Sequence, residues 1–272
     1  MKNYILLLFN LTTILLNAQI TESRNIENFN EIICKSGVNI NYYNSDSPKV
    51  IVETDKKENL NYIITSTKNN VLEVYVDTKN QPNVTISKID ISVYGIALEK
   101  ISMTSGSKIS FEDNFKSNVL RIKETSGAQI VFKSLKTDHL EIDLSSGAQL
   151  NGNITSKTIT SKMSSGSIWN AKINSKELSI NSSSGSKVLL EGTTEKLSIK
   201  AASGAMAELN NLKTEEADIV ANNGSKITSW VCCKLSAEAN TSGKIIIKGL
   251  PTNLKIKHDK LSKISNENGD VY

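Results

Sequence analysis

The chain has little of what most often builds a reactive centre. Its 272 residues include two histidines and three cysteines, and aromatic residues make up 5%. His139 and His258 lie far apart in sequence, and no metal spacing of the histidine or cysteine type occurs. Scarce aromatics argue against a stacking platform for bases or sugars. The formal charge is only +4, and lysines alternate with glutamates, which disfavours a nucleic-acid surface. Serine is plentiful, but no Gly-x-Ser-x-Gly elbow is present, and a serine without a base is inert as a nucleophile. The glycine-aspartate nonapeptide that binds calcium in other β-helices is missing too. No cofactor is implied.

The cysteines are Cys34, Cys232 and Cys233. An odd number leaves at least one thiol unpaired within a monomer. A link from Cys34 to one of the other two and three unpaired thiols both remain open. The expected place for Cys232 or Cys233 is a buried strand position near Val231.

What the chain does have is a glycine at a nearly fixed interval. Gly106, Gly127, Gly147, Gly166, Gly185, Gly204, Gly224 and Gly243 are separated by 21, 20, 19, 19, 19, 20 and 19 residues. Serine precedes seven of them, and Asn223 precedes Gly224. Apolar residues fall seven before the glycine (Leu120, Leu140, Ile159, Leu178, Leu197) and five before it (Ile101, Ile122, Ile142, Ile180, Ile199, Ile219). A spacing of two puts both side chains on one face of a strand. A further apolar position comes three after it: Ile109, Ile130, Leu150, Trp169, Val188, Ala207, Ile227 and Ile246. A third apolar point recurs near Leu135, Ile154, Ile173, Leu212, Val231 and Leu250.

A unit of 19 to 21 residues with period-2 patterning is too short for two helices and fits one coil of a parallel β-helix. Equivalent residues then stack, with Ile122, Ile142, Ile180 and Ile199 in one internal column. The eight glycines are assigned as structural turn positions. Two physical roles are open for them: positive φ at a sharp corner, or close approach of neighbouring coils. The serine hydroxyls are expected to bond local backbone or the serine one coil away.

The flanks differ from the repeat. Lys2 precedes an apolar stretch from Tyr4 to Leu16, and Ala18 follows, which predicts a signal peptide over 1–18 and export to the periplasm, outer surface or medium. Residues 19–96 read as irregular β strands, such as Val50–Val52, Val71–Val76 and Val84–Ile86, that cap the solenoid and run continuously into it. Residues 97–272 form the regular repeat, with a degenerate closing coil at the C-terminal end.

Residues 25–271 resemble a bacterial secreted family, the putative auto-transporter adhesin head GIN domain. The resemblance rests on Ser36-Gly37-Val38-Asn39-Ile40 within the run opened by Phe29-Asn30-Glu31-Ile32-Ile33, on Val50-Ile51-Val52-Glu53-Thr54-Asp55, and on Asn70-Val71-Leu72-Glu73-Val74. It continues through the repeated turns Ser105-Gly106-Ser107, Ser146-Gly147-Ala148 and Ser184-Gly185-Ser186. It implies an all-β, right-handed, single-stranded parallel β-helix from a Bacteroidetes-like cell, and it transfers no catalytic residue. Two departures stand out. Ser161 replaces an apolar residue five before its glycine, where Met163 is expected to compensate, and Asn222-Asn223-Gly224 replaces the serine turn.

The expected function is a non-catalytic envelope or adhesion-like scaffold that binds a surface glycan or an envelope protein. The alternatives are a carbohydrate-active β-helix lyase or hydrolase, and a purely structural or self-associating protein. Glycoside hydrolysis needs two carboxyls across a bond, whereas the acids here are scattered. Glu141 and Asp143 share a strand face and are expected to point outward.

Overall fold

The computed structural model describes residues 20–78, 86 and 89–272. The expected leader and most of the strand expected at 84–86 lie outside the described residues. The chain begins with β1 (Ile20–Asn25), β2 (Glu31–Cys34), β3 (Asn39–Asn44), β4 (Lys49–Thr54), β5 (Ile63–Lys68), β6 (Val71–Val76), β7 (Ile89–Gly95) and β8 (Lys100–Met103). Seven long strands follow: β9 (Lys108–Glu124), β10 (Gln129–Leu144), β11 (Gln149–Met163), β12 (Ile168–Ser182), β13 (Lys187–Ala201), β14 (Met206–Asn222) and β15 (Lys226–Asn240). The chain closes with β16 (Lys244–Lys248), β17 (Asn253–His258) and β18 (Lys263–Asn266).

From β9 to β15 every neighbour is parallel, so the repeat is a parallel β-solenoid. One coil cannot bury its few apolar side chains alone, and stacking supplies the missing wall. Ile122 pairs with Ile142, Ile142 with Ser161, Ser161 with Ile180, and Ile180 with Ile199. All five are buried. The isoleucine column therefore exists, with one serine set into it.

That serine is not compensated by Met163. Met163 stacks on Leu144 in the neighbouring column, so Ser161 keeps its own place and its hydroxyl has no hydrogen-bond partner. A buried unsatisfied hydroxyl costs on the order of 1–3 kcal/mol. Ser161→Ala is accordingly expected to raise the urea midpoint by an amount worth about 1 kcal/mol with an unchanged m value.

The N-terminal strands finish one end of the stack. β2 and β3 form a coil of their own, joined by Ser36-Gly37 and paired in parallel with β8 and β9. On the opposite edges of β2 and β3 lie β6 and β7, also parallel, and beyond them the pairing turns antiparallel through β5, β4 and β1. Arg24 clamps this cap: its guanidinium donates to the Leu60 and Ile63 carbonyls and the Thr65 hydroxyl, and meets Glu22 at 2.9 Å. The few aromatics concentrate here as well. Tyr42, Phe111, Phe115 and Phe132 pack together, with Phe111 and Phe132 stacked at 4.4 Å.

The other end is plainer. β16 and β17 pair with β15, and β18 pairs with β16. The glycine count predicts Ile246 inside, but Ile245 stacks under Ile227 and is the buried one. Leu250, expected inward, is 89% exposed, because the chain breaks out of the coil at Gly249 and Pro251. Leu254, Leu261, Val271 and Tyr272 are exposed near it.

Candidate functional site

Each Ser-Gly corner from Ser105 to Gly204 is a two-residue turn with both residues left-handed. At Ser126-Gly127 the φ values are +55° and +72°, and the Ala128 amide donates to the Thr125 carbonyl at 3.2 Å. Positive φ at both central positions defines the type I′ turn. The seven glycines from Gly106 to Gly224 have φ between +68° and +75°, and a Cβ added to any of them would meet nothing within 4 Å. Of the two roles open for these glycines, positive φ applies and close approach does not.

Neighbouring turns are tied by backbone. The Gly127 amide donates to the Ser146 carbonyl at 3.0 Å, Gly147 to Ser165 at 3.0 Å, and Gly166 to Ser184 at 3.1 Å. The Ser126 hydroxyl reaches only its neighbour Thr125, at 3.5 Å. The expected hydroxyl ladder is thus not at the turn serines.

At the last corner the register slips by one. Thr241 and Ser242 take the two left-handed positions, with φ of +50° and +65°, and the Gly224 amide donates to Thr241. Gly243 instead fills the packed position occupied elsewhere by Ala128, Ala148 or Ser225, and a Cβ on it would collide with the Ala221 carbonyl oxygen. Conversely, Gly37, with φ of +69°, is a turn glycine outside the periodic set.

A hydroxyl column does exist at a different corner. Thr137, Ser156, Ser175, Thr194 and Thr214 stack in register and are buried. The Thr137 hydroxyl bonds the His139 carbonyl at 3.2 Å and the Asn118 carbonyl of the adjoining coil at 3.1 Å. Ser156 repeats this with Thr158 and Asp138. Inward hydroxyls here satisfy carbonyls that the bend takes out of the ladder.

The candidate binding surface is a groove across β11 to β14. Amide side chains of Asn151, Asn153, Asn170, Asn210 and Asn211 line it with Lys172, Glu191 and Glu208. Gly152, Ala171 and Leu190, stacked on the inward-facing row, and Leu189, between Asn170 and Glu208, complete the lining. Amides offer both donors and acceptors, a suitable lining for a ligand rich in hydroxyls. A Cβ on Gly152 would strike the Phe132 carbonyl oxygen of the adjoining coil, so only glycine fits at this end of the groove.

Comparison with known proteins gives the lineage. The family model described as putative auto-transporter adhesin, head GIN domain, matches residues 28–171 and again 148–251. The chain belongs to the GIN head-domain family. The two matched stretches of this GIN domain overlap at 148–171, within the regular coils. Among solved structures, it is similar to a putative adhesin from Parabacteroides merdae, at 16% identity and a TM-score of 0.70, covering 91% of this chain and 95% of that one. It is also similar to a putative lipid binding protein from Parabacteroides distasonis, at 18% identity and a TM-score of 0.67, covering 91% and 96%. A further putative adhesin from Parabacteroides distasonis matches with 15% identity and a TM-score of 0.68, covering 92% and 97%. No curated protein matches the chain.

The other singled-out residues of the GIN domain are dispersed. His139 is exposed and meets the Thr158 hydroxyl through Nδ1 at 2.7 Å. Glu141 and Asp143 are both exposed on one face, and Glu141 faces Arg121 at 3.5 Å. Trp169 is fully buried in the column of Leu150 and Val188. Among the described residues no group of three or more histidines, cysteines or acids is placed to hold a metal ion, and no helix is long and apolar enough to cross a membrane. The cysteines correct the expected burial: Cys34 is buried, Cys232 is half-buried and Cys233 is exposed. Cys34 on β2 also lies eight strand spacings from β15, about 38 Å, which removes a Cys34 link to either.

Proposed function

We propose that this GIN domain is an exported, non-catalytic scaffold of the bacterial envelope that binds a glycan along the amide-lined groove. The carrying observation is the groove itself: five asparagines from β11, β12 and β14 line one face, with Leu189, Leu190 and Glu191 of β13 between them. Asn151 stacks on Asn170 one coil away, about 4.8 Å, and with Asn153, Asn210 and Asn211 they spread amides along the stack, which suits an extended ligand better than a compact one. Glu191 and Glu208 at the rim are both exposed, and Glu208 lies 3.9 Å from Lys187. Nothing about them sets apart an acid and a base as hydrolysis demands.

The test is a glycan array probed with the mature protein and read for retention and for product release. Retention without turnover is expected. The double variant Asn170→Ala/Asn211→Ala should weaken it about tenfold, the scale of one or two lost hydrogen bonds. Product release that disappears in Glu191→Gln would instead establish a carbohydrate-active enzyme, and absence of retention on every glycan would overturn the glycan reading.

A further inference from the structure

The pairing of β14 with β15 jumps at one corner. Thr214 faces Val231 and Glu216 faces Lys234, so Cys232 and Cys233 together lie opposite Glu215 alone. Two residues against one is a β-bulge. Successive side chains of a regular strand point to opposite faces, which keeps neighbouring cysteines apart. The bulge removes that separation: the two Sγ atoms are 3.0 Å from each other at the surface.

Surroundings and chemistry make this pair different from Cys34. Cys34 sits in the core, where burial pushes its thiol far above the ordinary range and no reagent reaches it. The thiol of Cys233 is raised too, by its contact with Cys232 first and by Glu215 and Glu216, so exposure and not acidity sets the pair apart. The pair lies beside a surface recess lined by Trp230, Glu195, Lys213 and Glu215, so a small molecule can reach it. The Cys233 carbonyl also accepts from the Thr252 amide at 2.9 Å and the Thr252 hydroxyl at 3.1 Å, which anchors the segment entering β17. Adjacent residues hold their Cα atoms about 3.8 Å apart, below the usual 4.4–6.8 Å of a relaxed disulfide. A ring closed here is strained and readily reduced, which is the property of a switch and not of a staple.

We propose that Cys232 and Cys233 form a reversible thiol–disulfide site whose oxidant is a small-molecule disulfide. The exposed Cys233, as thiolate, attacks one sulfur of the oxidant and expels the other as a thiol. The Cys232 thiolate then attacks the Cys233 sulfur of the mixed disulfide, forming the Cys232–Cys233 bond and releasing the second thiol. The protein loses two electrons and two protons, and one disulfide becomes two thiols.

The test treats the reduced full chain with oxidised glutathione, then counts thiols after denaturation, measures intact mass and maps peptides. Two of the three thiols should disappear without an adduct and without a linked dimer, and dithiothreitol should restore them. Cys34→Ser should close in the same way. Cys232→Ser should instead retain a glutathione adduct on Cys233, because the resolving thiol is gone. A lasting adduct or a dimer in the unmodified chain, persistence of all three thiols, or loss of closure in Cys34→Ser would each overturn the proposal.

Discussion

Glu124→Met is expected to stabilise the protein at neutral pH, with the gain vanishing in acid. Glu124 ends β9 inside the core, in the column that continues through Met103, Leu144 and Met163. Both carboxyl oxygens are buried and neither makes a well-formed hydrogen bond. Burial drives the carboxyl well above the usual carboxylate range, and the backbone of Ile130 opposes this only in part. A folded-state value above the unfolded one means that the unfolded chain releases its proton first. The native state is thus least penalised below about pH 4.5, and it loses stability as pH rises from there towards the folded value. Methionine fits the column and carries no proton, so the variant should gain about 1–3 kcal/mol at pH 7 and almost nothing at pH 4. Glu124→Gln keeps the shape and should show the same pH trend. Urea midpoints at the two pH values decide it: an equal gain at both would show that packing, not ionisation, is at work.

Gly192→Ala is expected to be the most damaging of the glycine substitutions, and asparagine is expected to separate it from the turns. Gly192 has φ of +112°, and an added Cβ would run into the Ile173 carbonyl oxygen of the preceding coil. The three nearest atoms are all Ile173 backbone, so no side chain can yield. A loss above about 3 kcal/mol follows, the scale of an overpacked core combined with backbone strain. Gly185 has φ of +69° and open space around the missing Cβ. Alanine there should cost about 1–2 kcal/mol for the left-handed backbone alone, valine more, and asparagine little, as Asn223 already stands left-handed at the neighbouring position of its turn. Gly192→Asn should be as harmful as Gly192→Ala. Thermal or urea unfolding of the five variants checks the order, and a tolerated Gly192→Asn would refute the collision.

The period and the inward columns were legible because both are carried by spacing. Ile122, Ile142, Ile180 and Ile199 recur at the coil length and stack as that length requires. The misplacements share a different origin. Counting from a glycine assumes that every glycine does the same thing, yet Gly243 is held by a close contact and its turn lies one residue earlier, which moves Ile246 outward. Gly37 makes the same turn as the rest, but the cap strands inserted before Gly106 hide its phase. The hydroxyl column was readable at nine to eleven residues after each glycine, from Ser117 to Thr214, and blends into a serine-rich background. The groove and the bulge at Cys232 depend on which coils lie side by side and on one extra residue, neither of which has a local signature.

The direction of the ladder bears on how such a domain carries load. Coil-to-coil hydrogen bonds, including those from each turn glycine to the next turn, run along the stack. Tension between the two ends therefore pulls these bonds in series, in the manner of a zipper and not of a sheared sheet. Rupture is expected to proceed one coil at a time from the C-terminal end, where Leu250, Leu254 and Leu261 are exposed. Each coil of 19 residues, as from Gly166 to Gly185, releases about 65 Å of chain. A tether of this build yields in small equal steps and spares the remaining coils, so an attachment made through it stretches long before it fails.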